Sequence, residues 1–326
     1  MQPPPHSRPA AGIAFVLAGM VAISINDMTI KQLSGAYPLH QIVFTRAVIA
    51  LALLMVVVRI EGGWSLLRSN RPWLHMLRGL LVVLSNMGFF LALAVVPLAD
   101  ATALFFAAPL FITMLSIPLL GEKVGPMRMG AVIVGFIGVI VMQRPWASDA
   151  ALGVSRAVLL LPVFAALTYA LMQLMTRRLG ATTRASALAV YIQLMFLVVS
   201  AGFWMIAGDG RFADAVQSPS LKFLLRAWIW PEPGDWLSLL WLGASSAAIG
   251  YCLSQAYRLA DAATVAPFEY AALPLAVFWG WLLWAELPGP AVWAGMALIV
   301  GSGLFVFLRE RHRTRRPAAT GVGRRS

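Results

Sequence analysis

Ten stretches of about twenty mostly apolar residues, each closed by glycine, proline or charge, constrain this chain more than any other feature in it. A helix that crosses a bilayer needs roughly 20 such residues, so ten crossings take about 200. The stretches lie near Ala11–Ile30, Leu39–Val58, Leu74–Val96, Ala101–Leu120, Gly125–Met142, Leu152–Met175, Ala185–Ile206, Trp236–Ala256, Ala262–Trp284 and Ala291–Leu308. The rest of the composition agrees: 60% of the 326 residues are hydrophobic and 12% are charged, and the mean hydropathy is +0.80. Such a chain is no ordinary soluble domain, which sets aside most cytosolic enzymes. Cys252, its single cysteine, lies in an apolar stretch. An intrachain disulfide, a structural zinc cluster and a paired redox thiol are thereby excluded, and neither metal nor cofactor is expected.

The net charge of +12 would suggest nucleic acid in a soluble chain, but here the basic residues sit at the ends of apolar stretches, so no nucleic acid is expected. Taking alternate loops as one side, 17 Lys and Arg fall with the two termini and 6 on the opposite side, while Arg46 and Arg78 lie within helices. The positive-inside rule then puts both termini in the cytoplasm of a bacterial-type inner membrane. Met1–Ala10 carries no pattern for cleavage after a short apolar core, so the first stretch is expected to stay as a helix. The long connection Ala207–Asp235 contains an amphipathic stretch, Leu221–Trp230, expected at the membrane surface.

The halves of the chain repeat. Pro109 and Pro274 are 165 residues apart, Glu122 and Glu286 are 164 apart, and Gly130 with Gly295 and Gly138 with Gly303 are each 165 apart. Local strings agree, Leu98-Ala-Asp-Ala-Thr102 answering Leu259-Ala-Asp-Ala-Ala-Thr264. An odd number of crossings per half turns the second half upside down relative to the first, an inverted repeat of the kind found in alternating-access carriers. The expected fold is therefore all-α and integral to the membrane, with ten transmembrane helices in two inverted five-helix repeats. Its parts are a cytoplasmic tail over 1–10, a first repeat over 11–145, a second over 150–308 with a periplasmic segment at 207–235, and a basic cytoplasmic tail over 309–326.

With Asn26-Asp27 and Lys31, Phe44-Thr-Arg46, Arg71-Pro-Trp-Leu-His-Met-Leu-Arg-Gly79 and Ala266-Pro-Phe-Glu-Tyr270, the chain resembles the drug/metabolite transporter superfamily, EamA family, from about Ala11 to Leu308. Within it these strings are similar to a subgroup of S-adenosylmethionine and riboflavin importers. The resemblance implies a secondary carrier of a small metabolite, with riboflavin or S-adenosylmethionine as first expectation and export of amino acids, metabolites or drugs as the alternative.

Ionisable groups inside hydrocarbon cost roughly 2.5–3.5 kcal/mol each on insertion scales, so those present are candidate substrate-binding residues. Asp27 lies about fifteen residues into the first helix and Arg46 about eight into the second, at similar depth, where they serve a substrate or pair structurally. Glu269 falls on Leu104 when the repeats are superposed, so the architecture does not require a carboxylate there; it serves a substrate or a coupling ion, or lies close enough to the interface to stay hydrated. Asn86, Thr102, Phe106, Tyr169, Gln173 and Tyr270 add the mixture of amides, hydroxyls and aromatic faces that a flat heteroaromatic ligand needs. Pro109 and Pro274 are expected mid-helix, as kinks and hinges. Arg71, His75 and Arg78 are read as anchoring charge at a membrane face. Partners are the small-molecule substrate and the bilayer, with a coupling proton through Asp27 or Glu269 open alongside facilitated diffusion, and a monomer or homodimer. An integral-membrane lipid-modifying enzyme is the distant alternative, disfavoured because no Asp-x-x-Asp or paired-histidine motif occurs.

Overall fold

The structure is a computed structural model that describes residues 9–68, 72–148, 153–179, 185–260 and 262–314. Most of both expected tails (1–8 and 315–326), and Arg71, lie outside the described residues. All regular elements among the described residues are helical: α1 (Pro9–Leu33), α2 (Leu39–Glu61), α3 (Pro72–Leu93), α4 (Leu98–Phe105), α5 (Ala108–Leu120), α6 (Pro126–Gln143), α7 (Arg156–Leu179), α8 (Ala185–Ala207), α9 (Pro219–Leu225), α10 (Trp236–Leu259), α11 (Ala262–Glu269), α12 (Ala272–Trp284) and α13 (Pro290–Thr314), with one 3-10 turn at Trp64–Leu67. Nine described spans are long and apolar enough to cross a membrane, with α4 and α5 together making one of them, Leu98–Leu120. The tenth crossing is α11 with α12. Ile133, Ile137 and Ile140 on α6 are exposed at three- and four-residue spacing, as an outward face solvated by hydrocarbon requires.

Two spans are broken where continuous, kinked helices were expected. The fourth stops at Phe105 and resumes at Ala108, and the ninth stops at Glu269 and resumes at Ala272. Pro109 and Pro274 therefore stand in the first turn of α5 and α12, not inside a long helix. A proline interrupts the helix twice over, since it lacks an N–H and its ring clashes with the carbonyl four residues back, here Phe105 and Tyr270. Tight three-residue bonds close the break, Ala107 N–H donating to Leu104 O at 3.1 Å and Ala271 N–H to Phe268 O at 3.1 Å.

The packing carries the inverted repeat. The helix α1 lies along α10 as α7 lies along α3, α2 meets α10 as α8 meets α3, and the axis runs through the self-related pairs α2–α8 and α6–α13. Small residues let the last pair approach closely: a Cβ at Gly295 would lie 2.7 Å from Gly138 O, and one at Gly138 would lie 2.9 Å from Gly295 O. Two bodies result, α1 with α10, α11 and α12, and α3 with α4, α5 and α7.

We call the face where α1 begins the near face and the one where it ends the far face. The segment between α8 and α10, which holds the amphipathic stretch Leu221–Trp230, lies on the far face and is only partly helical. Only Pro219–Leu225 is helical, Phe223 is fully buried, and Trp230 is 84% exposed. The segment is strapped to the first hairpin because its polar groups find partners there. His40 Nδ1 meets Leu224 O at 2.8 Å, Gln41 exchanges two bonds with the Ile229 backbone (2.6 and 3.2 Å), and Arg226 donates to the carbonyls of Ser34 and Gly35. Tyr37 donates to Asp235 Oδ2 at 2.6 Å and accepts from Glu232 N–H at 2.9 Å. Burial, and then its bond to Asp235, push the Tyr37 hydroxyl above its ordinary pKa.

Candidate functional site

The helix α2 carries Arg46 into the interior at 4% exposure. Its guanidinium lies between two phenyl rings, 5.4 Å from the Phe90 centroid on α3 and 4.9 Å from that of Phe196 on α8. Each such contact is worth up to about 2 kcal/mol when water is excluded. Asp27 on α1 accepts from Asn26 Nδ2 at 3.1 Å and is coupled electrostatically to Arg46 without a hydrogen bond between them. Of the two readings the sequence leaves open for these residues, a structural pair would act through space, not through a direct salt bridge. Arg46 Nε and Asn26 Oδ1 are both buried without a hydrogen-bond partner, an expensive arrangement in a dry interior.

A second group surrounds the two helix breaks. Phe106 stacks on Tyr270 across the repeats, with centroids 5.1 Å apart and planes at 30°. Both residues sit where their spans lose helical form, so the breaks aim these rings at one another. Tyr270 reaches the α13 backbone at Gly303, where a Cβ would collide with its hydroxyl. On α7 the Tyr169 hydroxyl and Gln173 Nε2 are bonded at 2.6 Å, one turn apart as their spacing predicts. The Glu269 carboxylate acts electrostatically on both Tyr169 and Tyr270.

Rings join the two groups. Phe89, next to Phe90, lies 5.4 Å from Phe105, and Phe105 lies 5.5 Å from Tyr169. An aromatic ladder thus runs from the Arg46 sandwich through α3 and α4 to Tyr169, with the Glu269 carboxylate at its other end. Stacking faces flanked by a cation and an anion can hold a flat polar heterocycle.

Asn86 and Thr102 are less directly engaged, since each donates within its own helix, Asn86 to Val82 O at 3.0 Å and Thr102 to Leu98 O at 2.8 Å. Sequence reasoning missed the setting of two cations. Arg78, read as anchoring charge at a membrane face, also acts electrostatically on Tyr169, and its three-residue offset from His75 gave no hint of that. Lys31, counted with the loops, occupies the last turn of α1 and is tied to Glu286 across 255 residues (2.8 and 3.1 Å) and to Val96 O (3.0 Å). Its signals in the sequence were its place beside Asn26-Asp27 in the strings that carry the family resemblance and the match of Glu286 to Glu122 in the repeat.

Residues 10–144 match the EamA-like transporter family. The chain is 31% identical to a riboflavin transporter of Rhizobium johnstonii over 96% of each chain. It is 26% identical to an S-adenosylmethionine uptake transporter of Rickettsia prowazekii over 92% of this chain and 93% of that one. A crystal structure with 21% sequence identity superposes with a TM-score of 0.63 over 94% of this chain and 99% of the other, which shows the same fold.

Proposed function

Because the chain belongs to the EamA-like transporter family, we propose that it imports a flat heteroaromatic vitamin or cofactor by alternating access across a bacterial inner membrane, with riboflavin as the first candidate and S-adenosylmethionine as the second. The observation that carries this reading is the aromatic ladder between Arg46 and Glu269, crossed at the helix breaks by the Phe106–Tyr270 stack. Asp27, Arg46, Tyr169, Gln173, Glu269 and Tyr270 hold the substrate in this reading, with Asn86 and Thr102 lining its edge. Pro109 and Pro274 mark the hinges. The near face is cytoplasmic, as the 17-to-6 distribution of basic residues supports, and the strap of 207–235 is periplasmic. Transport, not catalysis, is the activity, and a proton on Asp27 or Glu269 is its candidate coupling ion. Similarity to the riboflavin transporter, at 31% against 26% identity, favours the flavin.

The test is uptake of labelled riboflavin and S-adenosylmethionine by cells lacking their own importers, paired with a melting screen of the purified protein. A ligand at a hundredfold excess over Kd stabilises the fold by about 2.7 kcal/mol. Glu269→Gln is expected to lower uptake at least tenfold at unchanged expression. Stabilisation by amino acids or cationic drugs only would overturn the flavin reading.

A further inference from the structure

The inverted repeat is obeyed by every large helix contact except one. On the far face α4 packs against α12, and these belong to different bodies. The repeat relates α4 to α11 and α12 to α5, so a symmetric molecule would pack α11 on α5 at the near face. Among the described residues that pair makes no comparable contact. Among the described residues, then, a helix contact bridges the two bodies on the far face and has no comparable mirror contact on the near face.

Lys31 stands at the bridged end with its charge spread over both bodies. Glu286 follows α12 and Trp284 ends it. Both hold Lys31 from its own body, the carboxylate at 2.8 Å and the indole ring at 5.0 Å from Nζ. The remaining bond crosses: Nζ donates to Val96 O at 3.0 Å, in the turn joining α3 to α4. Asp100, on the first turn of α4, is coupled to Lys31, Glu286 and Arg144. A cation anchored on one body and bonded to the other at the entrance of α4 keeps that helix seated on α12.

We propose that Lys31 latches the far-side gate of the transport path, with Glu286 and Trp284 as its anchor and the Val96 carbonyl as its keeper. Lys31 is a positioning residue that touches no substrate. The proposal rests on alternating access but on no choice of substrate. Opening the far face requires the Val96 bond to break while the Glu286 pair travels with α1 and α12.

The test uses thiol labelling from one side. Cys252 is the only cysteine, so Cys252→Ser gives a thiol-free parent. Ala276→Cys then places a reporter at a position 3% exposed, in the apolar cluster shared with Leu98 and Ala101 of α4. A membrane-impermeant maleimide is applied outside spheroplasts and, separately, to inverted vesicles. Slow labelling of the parent from outside is expected, with a rise of about tenfold in Lys31→Met, confined to the outer side, and slow labelling retained in Lys31→Arg, which keeps its donors. The exchange Lys31→Glu with Glu286→Lys restores the ion pair but leaves position 31 without a donor for Val96 O, so labelling stays fast. Fast labelling of the parent, an unchanged rate in Lys31→Met, an equal rise from both sides, or a slow rate in the exchange would each overturn the latch. Should Lys31→Met misassemble, Glu286→Gln removes the anchor and keeps the ammonium, and a rate equal to the parent there overturns it equally. Labelling needs no substrate, so failure to find a transported molecule leaves this result standing, and a failed latch leaves the transport reading intact.

Discussion

Replacing Arg46 by methionine tests whether the buried charges at the far end of the aromatic ladder act as a unit. Methionine keeps much of the volume and makes sulfur contacts of about 0.3–1.5 kcal/mol with each of Phe90 and Phe196, against cation–π contacts of up to about 2 kcal/mol each. The ring contacts alone therefore change by about 1–3 kcal/mol. The larger loss is electrostatic, because Asp27 is left with only Asn26 as a partner, and removing one member of a buried pair costs about 3–5 kcal/mol. Asp27→Asn leaves Arg46 in the same position. The double variant removes both charges and is expected to be more stable than the two single losses sum to, with a coupling of about 1–3 kcal/mol. Unfolding in mixed detergent micelles, followed through the 12 tryptophans, measures all four corners of the cycle. Losses that add to within about 0.5 kcal/mol would refute coupling and make Arg46 a residue held by its aromatic neighbours alone. Strong coupling in a stable double variant that no longer transports would assign both charges to the substrate.

The close approach of α6 and α13 predicts that Gly295→Ala costs about 1–3 kcal/mol by overpacking against Gly138 O and Met142. Gly301→Ala, with nothing within 4 Å of a new Cβ, is expected to be neutral or stabilising in the same assay, and equal losses at both positions would refute the packing argument. Tyr37 has a folded pKa raised above its unfolded value, so its contribution is complete below about pH 10 and is lost as pH rises through the folded value. Tyr37→Phe is expected to lose about 0.5–1.5 kcal/mol at neutral pH and to remove part of the alkaline transition seen by tryptophan fluorescence. Superimposable alkaline curves would refute this.

The spans and their repeat were legible because membrane insertion answers to local transfer free energy, a property of twenty residues read in a row. Most of the observed helices begin and end within a few residues of the apolar stretches, and of the four glycines at 165-residue spacing Gly138 and Gly295 lie in the α6–α13 contact, while Gly303 faces Tyr270 and a Cβ at Gly130 would meet nothing. The broken spans were half legible. Pro109 and Pro274 announced a disturbance, but whether a proline bends a helix or ends it depends on whether neighbouring helices can satisfy the freed carbonyls. Tyr169 and Gln173 were found together because helical spacing alone joins them. Lys31 and Glu286 were not, since nothing local distinguishes a lysine at a helix end that faces headgroups from one that reaches a carboxylate 255 residues away. Arg46 was recognised as buried, while its aromatic sandwich, built from α3 and α8, was beyond any one-dimensional pattern.

The strap between α8 and α10 bears on how such a chain can be made. Ser34, Gly35, Tyr37, His40 and Gln41 emerge from the ribosome early, yet the groups that satisfy them lie 184 to 198 residues later. Until that later segment has been synthesised and folded onto it, the first hairpin waits with unmet hydrogen bonds beside an empty slot for Phe223. The first half cannot reach its final form alone, nor can a second copy of it stand in for the half that carries the strap. Whatever ancestral unit was duplicated to make this architecture, the two halves have since become a lock and its bolt, no longer interchangeable, and a stop codon after the first repeat would yield a fragment for the quality-control proteases and not a half-transporter.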